Sequence, residues 1–217
     1  MDGARKDTEL PGSREYELAV QALHEGGIVA YPTETYYGLA VDPANQEAVA
    51  ALYRLKARES NKALTLIVPD LLTLANYSSQ FPAVYTLLSK TFWPGPLTLI
   101  FDALDSCMLS LKKDDNTLAI RISSHPVANR FCTLWGGAIT ASSANISGEP
   151  ALSSAEAVKE QWGSNLNYVL DGGITAGGKA STILRYHETC CEIIRKGVVT
   201  EHEIRKVLPE NYKICKR

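Results

Sequence analysis

Apolar residues recur at helical spacing almost from the start of the chain. Tyr16, Leu18, Ala19, Ala22 and Leu23 predict a helix over 14–24, with Ser13 as its N-cap and Gly26 and Gly27 as its stop. The apolar run 28–31 ends at Pro32 and reads as a buried strand that ejects the chain into a polar loop. A second helix over 46–56 carries Val49, Leu52 and Leu55 on one face, and a strand over 64–68 follows a polar bend. The same patterns predict helices over 81–92, 126–134, 153–162 and 200–207. They also predict strands over 97–101, 118–122, 138–141, 168–170, 181–184 and 192–194. Interleaving of this kind predicts an α/β class. With no internal repeat or low-complexity tract, it reads as a single domain over 14–208, a flexible N-terminal segment over 1–13 and a C-terminal tail over 209–217.

Composition narrows the function classes. The chain has 217 residues, 45% of them hydrophobic, enough for a sizeable core. Lys and Arg total 22 against 24 Asp and Glu, so the net charge of -2 draws no nucleic acid globally and any anion site must be local. The first residues mix charges with Gly and Pro and lack the apolar run of a signal peptide, and no stretch reads as membrane-spanning. Five cysteines without CxxC spacing argue against a disulfide framework or a zinc knuckle, so the expected compartment is the reducing cytoplasm. Adjacent Cys190 and Cys191 read as one buried and one exposed thiol. Neither GxxxxGK[ST], GxGxxG nor GxSxG occurs, and His24, His125, His187 and His202 lack metal-ligand spacing. His125, just before Pro126, reads as a helix-start residue rather than a base.

Four polar loops leave the ends of predicted strands, where α/β proteins place ligands. Thr33, Glu34 and Thr35 offer two hydroxyls and a carboxylate directly after a proline that fixes the chain's exit. Lys56, Arg58 and Lys62 put three cations at a helix-to-strand bend, where the macrodipole alone would favour them. Alternation along 117–123 places Thr117, Ala119, Arg121 and Ser123 on one strand face. If buried, Arg121 needs either a ligand anion or a structural salt bridge. Ser142, Ser143 and Asn145 follow a strand with small side chains that let backbone N–H groups approach phosphates. Ser181 and Arg195 complete the set near strand ends.

The stretches GGIVAYPTETYYGLA, LYRLKARESNKALTLIV, FWPGPLTLIF, LAIRISSHPVA, ITASSANISGEPA, VLDGG, STIL and IIRKG resemble the ordered blocks of the YrdC-like threonylcarbamoyl-AMP synthases. Their joint order over 26–197 is what makes the resemblance specific. It implies a twisted mixed β-sheet flanked by helices around a concave basic cavity. It also implies an enzyme that condenses L-threonine, bicarbonate and ATP to threonylcarbamoyl-AMP and pyrophosphate, for the threonylcarbamoyladenosine modification of tRNA. By this resemblance Thr35, Thr33, Arg121, Ala141 and Ser181 hold L-threonine. Lys56, Arg58, Lys62, Thr117, Ser143, Asn145, Ala151 and Arg195 serve ATP, with Arg58, Lys62 and Arg195 as catalytic cations. Mg²⁺ is expected with ATP, held mainly by the phosphates, and no protein metal site is implied. The implied partners are a downstream tRNA threonylcarbamoyl transferase machinery and weakly bound tRNA, with no membrane. Glu59, Ile67 and Arg185 depart from the family's usual proline, histidine and aspartate. The alternative reading is a non-catalytic RNA-binding module of the same fold.

Overall fold

The computed structural model describes residues 10–57, 64–107, 111, 115–187 and 190–215. Helix α1 (Ser13–His24) begins one residue earlier than expected: Gly12 is the N-cap, and no side chain caps the helix. The chain reverses at Gly26, whose φ of +76° suits glycine, and enters β1 (Val29–Pro32). An unpredicted strand, β2 (Tyr37–Ala40), returns antiparallel with Pro32 opposite Tyr37. All four β2 residues are buried, so it lacks the alternation by which half-exposed strands announce themselves. The polar loop is therefore the four-residue turn 33–36 of a hairpin.

Where one sheet was expected, the structure has two. The smaller runs β7 (Ser142–Ser143), β2, β1, β8 (Tyr168–Val169). In the larger, β11 (Lys213–Cys215), β10 (Cys190–Arg195), β9 (Thr182–His187) and β4 (Leu97–Asp102) are followed by β5 (Thr117–Arg121), β3 (Thr65–Ile67) and β6 (Ile139–Thr140). Both sheets are mixed: β1 runs parallel to β8 but antiparallel to β2, and β4 runs parallel to β9 but antiparallel to β5. Only Ala141 separates β6 in one sheet from β7 in the other, and its N–H donates to the Thr65 carbonyl at 2.7 Å. Thr140 ties the sheets together, donating from Oγ1 to Leu39 O and accepting from Val41 N, each at 3.0 Å.

Helices cover this framework. Helix α1 and α5 (Pro126–Trp135) pack on β1 through Tyr16, Leu23, Val29, Tyr31 and Phe131. A larger core holds α2 (Gln46–Leu55), α4 (Ala83–Phe92), α6 (Ala155–Trp162) and α7 (Glu201–Val207) against both sheets. A short helix, α3 (Leu71–Leu74), was not anticipated; it is capped by Asp70, whose carboxylate accepts from Thr73 N at 2.7 Å. Among the described residues no helix is long and apolar enough to cross a membrane.

The stretch read as a tail contributes β11, which extends the larger sheet parallel to β10. This strand corrects the cysteine reading as well. Cys190 and Cys215 are joined as a disulfide with Cα atoms 5.9 Å apart, and Cys191 on the opposite strand face is fully buried. A sequence separation of 25 residues hid the pair until β11 placed Cys215 diagonally across from Cys190.

Candidate functional site

The two sheets part around Ala141 and leave a hollow of about 180 Å³. One wall is the hairpin turn with Thr35 at its rim, and the floor is the face of β5 and β3 that carries Arg121 and Thr65. The segment from Ala141 to Asn145 forms the opposite wall, and Ser181 and Arg195 close the end. Among the described residues that line it, Arg121 and Arg195 carry the charge.

In the turn, Thr33 and Thr35 have different duties. The Thr33 hydroxyl donates to Tyr36 O at 2.7 Å and accepts from the N–H groups of Thr35 and Tyr36, each at 3.3 Å. It is spent on holding the turn. Thr35 Oγ1 touches Thr33 Oγ1 at 3.1 Å and retains hydrogen-bonding capacity toward the hollow. The turn is fastened from outside, with Gly177 N donating to Thr35 O at 2.8 Å and Tyr37 N to Leu152 O at 2.9 Å.

On β5, Leu118 and Ile120 point into the core while Arg121 takes the other face at 5% exposure, as strand alternation requires. The alternatives left open for Arg121 resolve to an ion pair: its Nε lies 3.2 Å from Glu34 Oε1. The N–H is not aligned for a proper hydrogen bond there. The other Glu34 oxygen accepts the Ser123 hydroxyl. Glu34 is the site residue that was named in the sequence without a role; the signal was its place between two threonines, in a turn facing a strand arginine.

Lys56 caps the C-terminus of α2 and is 1% exposed. Its ammonium donates to the carbonyls of Ser143 and Asn145, and its own carbonyl accepts from Ser147 N at 3.3 Å. Lys56 thus shapes the wall rather than lining it. Asn145 donates to Ile146 O at 2.8 Å and Glu149 O at 2.7 Å, leaving Oδ1 buried without a partner. A buried acceptor of that kind costs stability until a donor meets it. Ser143 is exposed in the hollow and Ala151 lines the same side.

Ser181 and Arg195 are fastened to each other. Arg195 donates to Ser181 O from Nε at 3.1 Å and Nη2 at 2.8 Å, and from Nη2 to Ser181 Oγ, also at 2.8 Å. Ser181 Oγ also meets Thr98 Oγ1 at 3.0 Å. A register shift in β10 between Ile193 and Arg195 aims the arginine here. Gly197 lets the next turn of chain pass: a Cβ there would sit 2.2 Å from Ala180 O.

Of the thirteen residues singled out, Thr33, Thr35, Arg121, Ala141, Ser143, Asn145, Ala151, Ser181 and Arg195 gather in this hollow, with Lys56 behind it. Thr117 is not among the lining residues. It sits four residues before Arg121 on the same strand face, about 13 Å along β5, and its hydroxyl donates to Asp115 at 2.6 Å. Arg58 and Lys62 lie outside the described residues. His125 begins α5, with Nδ1 accepting from Val127 N at 3.2 Å, and burial holds its pKa below the ordinary value, in keeping with a capping role. Arg185, one of the departures, pairs with Asp115 at 2.6 Å, away from the hollow.

Comparison with known proteins identifies the family and the fold. Residues 21–197 match the Sua5, YciO and YrdC family model, described as telomere recombination. A threonylcarbamoyl-AMP synthase of Halorhodospira halophila is 38% identical over 165 residues, covering 75% of this chain and 86% of that protein. Another, from Vibrio campbellii, is 33% identical over 186 residues, covering 85% of this chain and all of that one. The crystal structure of Pyrococcus abyssi Sua5 complexed with L-threonine superposes with a TM-score of 0.89 at 31% identity, covering 95% of this chain and 61% of that longer one. Escherichia coli YciO shares the fold, with a TM-score of 0.79 at 23% identity over 88% of this chain and 92% of that one. Matching in sequence over most of its length and in the arrangement of its strands, this chain belongs to the Sua5, YciO and YrdC family.

Proposed function

We propose that the chain is an L-threonylcarbamoyladenylate synthase. The observation that carries this reading is the hollow in which Arg121, Arg195 and the Thr35 and Ser181 hydroxyls meet a wall of small residues and a buried, unpaired amide oxygen. Relatives over most of the chain bear the synthase name, and a structural relative carries L-threonine.

In the proposed reaction Arg121 receives the threonine carboxylate, and the Thr35 and Ser181 hydroxyls orient the rest of the amino acid. The threonine amine attacks bicarbonate with loss of water to give an N-carboxylate. A carboxylate oxygen then attacks the α-phosphorus of ATP, and the bond to the β-phosphate breaks, releasing pyrophosphate and leaving threonylcarbamoyl-AMP. Negative charges converge in that step, so the dominant need is for cations and donors already in place. Arg195, fixed on Ser181, is one such cation. Arg58 and Lys62 are assigned the same duty on the strength of their sequence position.

Mg²⁺ supplies charge neutralisation on the phosphates when it arrives with ATP. Among the described residues no group of three His, Cys, Asp or Glu side chains could hold a metal. The hollow's hydroxyls, amide and arginines suit an ion carried by phosphates and water. The product is handed to a tRNA-modifying transferase, and the proposed compartment is the cytoplasm, where ATP and tRNA are at hand.

The test is incubation with ATP, bicarbonate and L-threonine, followed by mass detection of the adenylate. Omitting bicarbonate should abolish the product. Arg58→Ala and Lys62→Ala should each lower pyrophosphate release about tenfold or more, the worth of one strong charge-assisted contact. Absence of product from the unmodified protein, with RNA retained at physiological salt, would favour an RNA-binding module instead.

A further inference from the structure

We infer that Glu34 is the positioning residue for threonine recognition, acting through Arg121; the inference rests on reading the hollow as the threonine site. Glu34 stands in the hairpin turn, whose backbone is locked by the Thr33 hydroxyl and by Gly177. Its side chain is 11% exposed and that of Arg121 is 6% exposed, so neither charge is solvated enough to stand alone. Each completes the other.

The geometry of the contact gives the role its content. Glu34 Oε1 faces Nε of the guanidinium, while Oε2 is occupied by the Ser123 hydroxyl two residues along from Arg121. A guanidinium presents five N–H donors in a rigid planar fork. Holding Arg121 at Nε leaves the edge made by its two terminal nitrogens for a second carboxylate, which can accept two parallel bonds there. The threonine carboxylate is such a ligand. The carboxylate of Glu34 is too committed to contact substrate, so its effect is transmitted by the orientation of Arg121.

The same contact serves discrimination between ligands. With Glu34 beside it, Arg121 is already charge-compensated, so a diffuse anion gains little at this end of the hollow. A planar carboxylate matching the free edge gains two aligned bonds. Glu34 should therefore matter for threonine and hardly for ATP, whose assigned partners are Ser143, Asn145 and Arg195.

Steady-state pyrophosphate release, with threonine and ATP varied separately, tests this. Glu34→Ala should raise the threonine KM about tenfold or more, as expected for a misaligned charged clamp, with kcat and the ATP KM changed less than about threefold. Glu34→Gln keeps the shape of the side chain but removes the charge that holds Arg121, so it should raise the threonine KM in the same direction, by about threefold or more. Ser123→Ala, which frees the other carboxylate oxygen, should move the threonine KM about threefold in the same direction, a smaller effect because it reaches threonine only through Glu34 and Arg121. If Glu34→Ala does not fold, the Gln and Ser123→Ala variants carry the test, and an unchanged threonine KM in both overturns the inference. An ATP KM rising as much as the threonine KM overturns it equally, since a loosened hollow would do that. Failure of the unmodified protein to make threonylcarbamoyl-AMP would instead sink the functional reading on which the inference stands.

Discussion

Arg121→Ala is expected to raise the threonine concentration needed for half-maximal pyrophosphate release by about a hundredfold. Two lost charged hydrogen bonds, at roughly 1.5 to 3 kcal/mol each, set that scale even after part of the loss is relieved by water. Replacement also inverts the local charge. Glu34, compensated by Arg121 across 3.2 Å, becomes a carboxylate facing the carboxylate of the substrate. Arg121→Lys should restore less than about a tenth of the lost efficiency, because a point charge on a flexible stem cannot offer two parallel donors.

The alanine variant carries a stability cost that must be separated from recognition. Breaking a buried pair by removing one partner costs about 3 to 5 kcal/mol, because a charge is stranded. Removing both partners relieves it. The double variant Arg121→Ala with Glu34→Ala should thus melt nearer the unmodified protein than Arg121→Ala alone, yet use threonine no better. Thermal unfolding beside threonine titration reads both. A double variant that regained threonine use, or an Arg121→Ala protein affected only in its ATP dependence, would remove Arg121 from the amino-acid site.

How far the chain could be read in advance depended on the kind of signal each element gives. Helix α2 was legible because Leu52 and its buried face alternate with exposed residues, and strand β5 because apolar Leu118 and Ile120 alternate with Thr117, Ala119 and Arg121, although both of its faces are largely buried. Strand β2 was not, because the run from Tyr37 to Ala40 is buried on both faces and so has no period. The division into two sheets was hidden for a related reason: it takes place across the single residue Ala141, and no composition marks so short a transition. In the site, the residue types were legible and their partners were not. Arg121 announced that it needed a counter-charge, yet the choice of Glu34, 87 positions earlier, is fixed only by the pairing of β3 and β5 and by the hairpin that swings over them. The resemblance implies that Lys56 supports ATP, and its sequence position does not reveal that its side chain is buried against the carbonyls of Ser143 and Asn145.

That burial leads to the second large effect. Lys56→Met keeps the volume of the stem and removes the ammonium, and it is expected to lower turnover about a hundredfold while leaving threonine binding within about threefold. The ammonium spans the carbonyls of Ser143 and Asn145 from the end of α2, where the helix macrodipole favours a cation. The buried Asn145 carbonyl stripped of its donor costs about 1 to 3 kcal/mol, and the partly buried Ser143 carbonyl adds a smaller cost. The chain from Ser142 to Ser147 can recover that only by moving the carbonyls toward water, which takes Ser143 and the unpaired Asn145 oxygen out of the hollow. A displacement of about 1 Å at a positioning group can cost about a hundredfold in rate. Thr35, Arg121 and Ser181 make no hydrogen bond to that segment, so calorimetric threonine binding should persist. The prediction fails if the methionine variant turns over near the unmodified rate, or if threonine binding is lost together with turnover; in the second case the two walls of the hollow are one cooperative unit.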